Sequence, residues 1–235
     1  MTGVGVDRKT ASAFAWRLYG SDCAQADASI LREISEFRGR ILYAEGRRPN
    51  FRRKDGGYSD DDPLDSRSFH VTARAGGDLV GYIRIRPNLE YSQGTLGTLI
   101  TRPEFERILE EIRLRLDDCL EVSRWIVAPC ARGTEVAAAL VVSAWAVGRW
   151  LGKRRLLATV GARDGQMAML ARFGGQVLRS VSAKFIAEYD DEVAAMQFDL
   201  NDPPPRVARK LSAVGRLLQL PDNHLQPCLG HGCLL

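Results

Sequence analysis

The residues of this chain best suited to chemistry stand in one run, Glu121-Val-Ser-Arg124-Trp125, continued by Ile126-Val127-Ala128-Pro129-Cys130-Ala131-Arg132-Gly133-Thr134. Read as a strand, the first part sets Val122 and Arg124 on one side and Glu121, Ser123 and Trp125 on the other. Pro129 closes the strand, because proline cannot donate to a central ladder. Arg132 and Gly133 then fall where a helix begins, and the free N–H groups of a helix start can hold a phosphate. A strand presenting Glu and Arg, running into an anion-ready turn, points to an active site.

Three further charged sets occupy places where a core would want apolar side chains. Arg38 follows Phe37 on an early helical stretch, Asp62 and Asp65 precede a strand, and Arg84 alternates with isoleucines in YIRIRP. With Glu121 and Arg124 they would converge on a sheet as a buried ion network. Such networks are costly to desolvate, and recognition or pKa tuning is a common reason to keep one.

These groups need a scaffold, and the periodicity supplies one. Ala11–Tyr19 reads as a short helix and Ser29–Gly46 as a longer one, with Ile30, Ile34, Phe37, Ile41 and Leu42 at helical spacing. Residues 47–62 form a loop dense in charge and turn residues. Phe69–Ala75 and Leu79–Arg86 are strands of a hairpin turning at Gly76-Gly77-Asp78. Asn88–Thr101 is irregular, and Pro103–Leu116 is an amphipathic helix. After the Leu120–Val127 strand a long apolar helix reaches Trp150. Arg155–Gly161 is an almost continuous apolar run, as a buried strand should be. A helix over Gly165–Phe173 and strands at Gln176–Ser180, Val181–Tyr189 and Ala195–Leu200 follow. Pro203-Pro204-Pro205 makes a stiff break before a basic amphipathic helix over Arg206–Leu220. The expected organisation is an N-terminal arm (1–28), an α/β domain (29–202) and a basic C-terminal helix with a tail (203–235).

Composition bounds the function. The chain has 235 residues, 45% hydrophobic and 26% charged, ordinary for a soluble domain. A net charge of +4, with no helix-turn-helix, zinc-finger or aromatic-plus-basic pattern, gives no nucleic-acid signature. It suits an acidic partner docking on a local basic patch, with Arg47–Lys54 or Lys153, Arg154 and Arg155 as candidates. The apolar run Ala137–Val147 is too short to span a bilayer, and no signal pattern opens the chain, so a cytoplasmic location is expected. Five scattered cysteines, an odd number, argue against a disulfide framework. Cys228-x-x-His231-x-Cys233 matches none of the usual zinc spacings and lacks a fourth ligand, so no metal is expected.

The order FRGRIL, DDPLD, GYIRIRP, LEVSRWIVAP resembles the acyl-homoserine-lactone synthases and their relatives the N-acyl amino acid synthases, within the GNAT acyltransferase superfamily. The resemblance covers about Ile30 to Gly175, and Glu121-Val-Ser-Arg124 with Arg84 upstream is its most specific part. It implies an α/β (α+β) fold with a central mixed twisted sheet flanked by helices, whose splayed strands form the acyl-donor site. Residue by residue, Arg38, Asp62, Asp65 and Arg84 match the family's substrate-side residues, and Glu121 and Arg124 its E-x-S-R motif. Where lactone synthases carry aromatics after the early arginine, this chain has Leu42 and Arg48.

The resemblance implies transfer of a long-chain acyl group from a phosphopantetheine thioester to an amine, with no tightly bound cofactor. Glu121 would be the general base and Arg124 would orient it. Arg38, Asp62, Asp65, Arg84, Ser123 and Trp125 would serve the acceptor, with an arginine taking an amino acid carboxylate. Ile126, Val127 and Ala128 would pair the pantetheine arm, and the N–H groups of Arg132, Gly133 and Thr134 would hold its phosphate. Glu135 would repel a pyrophosphate more than a single phosphodiester, which favours acyl carrier protein over coenzyme A as donor and partner. Cys130 has no histidine near it in sequence, and the superfamily transfers directly, so no acyl-enzyme is expected. The leading expectation is an N-acyl amino acid synthase. The alternatives are a lactone synthase using S-adenosylmethionine and a non-catalytic acyl-carrier or ligand-binding module.

Overall fold

The computed structural model describes residues 14–20, 28–90, 94–187 and 189–220. Its elements are β1 (Ala15–Tyr19), α1 (Ala28–Ala44), β2 (Phe69–Ala75), β3 (Asp78–Arg86), α2 (Gly94–Leu99), α3 (Arg102–Ile112) and β4 (Cys119–Val127). There follow α4 (Val136–Trp150), β5 (Arg155–Gly161), α5 (Gln166–Ala171), β6 (Gln176–Val177), β7 (Lys184–Ile186), β8 (Asp191–Asp199) and α6 (Pro205–Leu217).

One sheet runs β1-β2-β3-β4-β5-β8-β6, with β7 also on β8. Among the described residues its only parallel pair is β4–β5, because α4 between them is the crossover that such a pair requires. Helix α4 is apolar almost all round, which suits a helix covered on every side. It packs on β2, β3, β4 and β5 and is covered in turn by α6. Close approach is built into both partners. A Cβ at Gly81 would stand 2.6 Å from Val136 Cγ1, and one at Gly148 would stand 2.7 Å from Leu200 Cδ1. Ser143, fully buried in α4, returns its hydroxyl to the Ala139 carbonyl at 2.8 Å.

The expected mixed α/β sheet is present, and the Arg155–Gly161 strand has the expected bounds. Two local expectations are corrected. Residues 15–19 form a strand paired along β2, not a helix, because edge pairing outweighs the weak helical signal of so short a segment. Residues 94–99, expected to be irregular, form the short helix α2. β1 brings part of the expected arm into the main sheet, and the expected C-terminal helix lies on α4. Cys23, Cys228, His231 and Cys233 lie outside the described residues. Among the described residues, no helix is long and apolar enough to cross a membrane, and no group of three or more His, Cys, Asp or Glu could hold a metal ion.

Candidate active site

Pairing places His70 opposite Arg84, and Arg84 opposite Ser123, so all three share one face of the sheet. Helix α1 lays Arg38 over that face and the loop after it delivers three aspartates. Asp65 is the hub. Its Oδ1 accepts from Arg38 Nη1 at 3.0 Å and from Arg84 Nη1 at 2.9 Å, and its Oδ2 from Arg38 Nη2 at 2.6 Å. Arg84 also meets Asp62 at 2.8 Å and donates to Ser123 Oγ at 3.1 Å. Arg38 Nε stands 3.0 Å from Asp60 Oδ2, and Arg38 donates to the Asp60 carbonyl as well. Arg124 closes the cluster, 3.2 Å from Asp60 and 3.1 Å from Asp62. Three arginines thus face three aspartates, and the formal charges cancel where desolvation would otherwise be prohibitive.

Beneath the ions lies a neutral relay. His70 Nε2 sits 2.9 Å from the Asp65 carbonyl, which can only accept, so that nitrogen carries the proton. His70 Nδ1 then accepts from the Tyr82 hydroxyl at 2.8 Å, and Tyr82 accepts from Arg38 at 3.2 Å. Burial holds the His70 imidazole below its usual pKa, and the charges of Arg38 and Arg84 act the same way. Burial pushes the Tyr82 phenol up, so it remains a donor. For Asp62, burial opposes ionisation, but the charge of Arg84 and the Leu64 N–H hold its carboxyl below the usual range.

Arg124 reaches the aspartates because β4 is not a regular strand there. Its φ is +55°, and the register against β3 slips between Tyr82 and Arg84, so β4 carries an extra residue. Such a bulge bends the strand and re-aims a side chain. Strict alternation, which set Arg124 opposite Ser123, therefore fails. β4 pairs with β5 only from Cys119 to Val122. Beyond the bulge the strands part.

A cavity of about 190 Å³ fills the gap. Its mouth carries Arg47, Arg48, Arg124, Tyr189 and Asp191, and its depth is apolar, passing Val122, Ile126, Ala158 and Val160 to Trp145 and Phe198. Those last two rings meet edge to face, with centroids 6.3 Å apart. A second groove runs from Trp125, Ile126 and Val127 to Arg132, Ala137 and Arg163. Trp125 and Ile126 line both.

The structure brings Arg38, Asp62, Asp65, Arg84, Ser123 and Arg124 together as expected, and places Trp125 beside them at the cavity. It separates Glu121 from Arg124. Glu121 is 1% exposed, pairs with Arg86 at 2.6 Å and accepts the Leu96 N–H at 3.3 Å. Because it lines neither cavity, Glu121 anchors α2, and Arg124 does not orient it. Arg38 and Arg84 are fully buried and held by aspartates, so neither is open to an acceptor's carboxylate.

At the turn, the Arg132 and Thr134 N–H groups are taken by the Pro129 and Ala131 carbonyls, and the Val136 N–H is taken by Thr134 Oγ1. Ala128 donates to Val80, which commits it to β3. The donors left for an anion include the N–H of Gly133, which no carbonyl at the turn takes, and those of the first turn of α4, at Ala137 and Ala138, which have no intrahelical acceptor. Gly133, at φ +76°, makes the turn that exposes them. The Arg132 side chain ties Glu45 to the Val127 carbonyl. Cys130 is exposed on this turn.

Asp60, His70, Tyr82, Tyr189 and Asp191 were not singled out from sequence, and Arg48 was noted only as a departure from the lactone synthases and within a basic patch. Asp60 and Arg48 belong to the stretch read as a loop dense in charge, yet both are buried. Arg48 stacks 3.9 Å from the Tyr189 ring centroid. The one available signal was alternation: His70 and Tyr82 share the strand face of Arg84.

Residues 37–142 match the family model described as an acetyltransferase (GNAT) domain. No curated protein matches the chain in sequence. Among solved structures, the CoA-dependent acyl-homoserine lactone synthase MesI superposes with a TM-score of 0.59 at 17% identity, covering 88% of this chain and 96% of that one. The CoA-dependent acyl-homoserine lactone synthase BjaI, with MTA, gives 0.62 at 16% identity, over 88% and 90%. An acyl-CoA N-acyltransferase from Pseudomonas aeruginosa gives 0.53 at 16% identity, over 79% and 99%. The fold is the GNAT acyltransferase fold.

Proposed function

We propose that this GNAT-fold chain is an N-acyltransferase, moving an acyl group from a phosphopantetheine thioester to the amine of an amino acid. The observation that carries this reading is the gap between β4 and β5, with an apolar cavity on one side and a groove ending at a helix start on the other. An acyl thioester has that shape: an apolar chain, a reactive carbonyl and an amide arm ending in phosphate. The chain would run toward Trp145. The arm would lie along Trp125–Val127, and its phosphate would meet the first turn of α4 near Arg163.

The thioester carbonyl then sits at the bulge. The amine, having lost a proton, attacks the carbonyl carbon there. The tetrahedral oxyanion is stabilised by strand-edge N–H groups beyond Val122, where β5 no longer pairs with β4. The C–S bond breaks, and the thiolate leaves with the second amine proton. The ion cluster positions Arg124, and with it the bulge, and takes no part in bond making. Arginines at the mouth suit an acceptor that carries a carboxylate, and equally an acidic carrier protein delivering the thioester. Coenzyme A is the other candidate donor, favoured by the likeness to the CoA-dependent synthases MesI and BjaI.

The second reading is an acyl-homoserine-lactone synthase using S-adenosylmethionine, favoured by those same neighbours. Against it stand Leu42 and Arg48 at the mouth where lactone synthases carry aromatics. Mass spectrometry of lipid extracts from expressing cells separates the two. An N-acyl amino acid is expected. An acyl lactone would establish the second reading, and an unchanged extract would leave a binding module.

A further inference from the structure

Asp191 opens β8 at the cavity mouth, and it is the only carboxylate among the described residues that line this cavity. It is 9% exposed. A carboxylate this buried normally has a cation to offset its lost hydration. Asp191 has none among the described residues, although arginines line the same cavity. Arg163, next to it in space, gives Asp191 Oδ1 only its backbone N–H at 3.0 Å and turns its guanidinium to Asp190 instead, at 3.1 Å. Arg124 is spent on Asp60 and Asp62. Arg48 lies over the Tyr189 ring. Asp191 Oδ2 is left with no side-chain cation. The carboxylate fits there only because residue 161 is glycine: a Cβ at Gly161, on the adjoining strand, would collide with it.

We propose that Asp191 is the acceptor-binding residue, receiving the primary ammonium of the incoming amine at the cavity mouth. The proposal rests on the acyltransferase reading and names the part of the acceptor that the mouth recognises. The cation missing from the mouth is the substrate's own. Asp191 lines the same cavity as Ser123, Arg124, Trp125 and Ile126, so an ammonium held by it waits in the chamber that would hold the thioester carbonyl. A carboxylate on the same acceptor would turn toward the side of the cavity lined by Arg47 and Arg48, which makes the mouth complementary to a zwitterion. The bound ammonium must release a proton to solvent before its nitrogen can attack.

The test is thiol release from octanoyl-CoA and octanoyl carrier protein, with the twenty amino acids and S-adenosylmethionine offered singly as acceptors. Wild type is compared with Asp191→Asn, which keeps an oxygen for the Arg163 N–H, and with Gly161→Ala, which crowds the carboxylate. Expected at pH 7 is a rise of about tenfold or more in KM for the amine in both variants. For Asp191→Asn, KM for the thioester and the melting temperature should be unchanged. The Asp191→Asn deficit should shrink as pH rises through the amine's own pKa, because a neutral amine has no charge to lose. A structural role for Asp191 would give a deficit independent of pH. An unchanged amine KM in an active Asp191→Asn enzyme overturns the inference and leaves acyl transfer standing. No thiol release by wild type with any acceptor overturns the acyl-transfer reading and this inference with it.

Discussion

Asp65 receives both buried arginines of the cluster, so its charge cannot be removed without stranding one of them. Asp65→Asn should cost about 3–5 kcal/mol of stability, the range for breaking a buried ion pair from one side. Urea denaturation measures it, and a loss below about 1 kcal/mol would show that the cluster is not what holds α1 to the sheet. His70 gives a pH signature. Its folded pKa lies below the usual 6.5 because burial disfavours the imidazolium. Its contribution is therefore complete above pH 6.5 and is lost as pH falls toward the folded value. Asp62, also depressed, adds a second loss below its usual 3.8. Thermal midpoints should fall on acidification from pH 7 to 5, and His70→Gln should flatten that slope; an equal slope in the variant would assign the loss elsewhere. Arg38 and Arg84 were legible in sequence because a charge interrupts apolar periodicity at each place, and Asp62 and Asp65 because they match the aspartate pair of the family the chain resembles. Asp60 and Asp191 were not, since an aspartate beside other aspartates in a loop or at a strand end reads as solvated. The partner of Glu121 was misread for a related reason. Arg86 looked like a strand terminus, whereas cross-strand pairing sets it beside Glu121.

At the scale of elements, the bulge at Arg124 and the glycines under α4 do the positioning. Gly81→Val would drive a side chain into Val136 and Leu140, so α4 must lift from β3. The expected cost is about 1–3 kcal/mol, as for overpacking generally, and calorimetry should show a lowered midpoint with the fold retained. Helices and strands of strong period were legible, β5 to the residue, because burial on both faces leaves a continuous apolar run. β1 and α2 were not legible: a five-residue edge strand and a six-residue helix form by docking on the sheet, not by local propensity. The bulge itself leaves no mark in the alternation. A residue at φ +55° that is not glycine is held there by its ion pairs with Asp60 and Asp62.

Across the whole molecule, the parting of β4 from β5 is the feature to which the other parts answer. α4 makes the pair parallel and ends the cavity with Trp145, while the ion cluster fixes the bulge that starts the gap. The mouth gathers charge from the loop after α1, from β4 and from β8. The family resemblance anticipated the splayed strands and a cavity between them. It did not show that the Arg132 and Thr134 N–H groups are already bonded within the turn, because that is settled by the turn's conformation. The most direct measurement uses the purified chain with octanoyl-CoA or octanoyl carrier protein and a pool of amino acids, with products read by mass spectrometry and thiol counted in parallel. The predicted result is one N-octanoyl amino acid formed per thiol released. Intact thioester with both donors, or product only when S-adenosylmethionine is supplied, would contradict it.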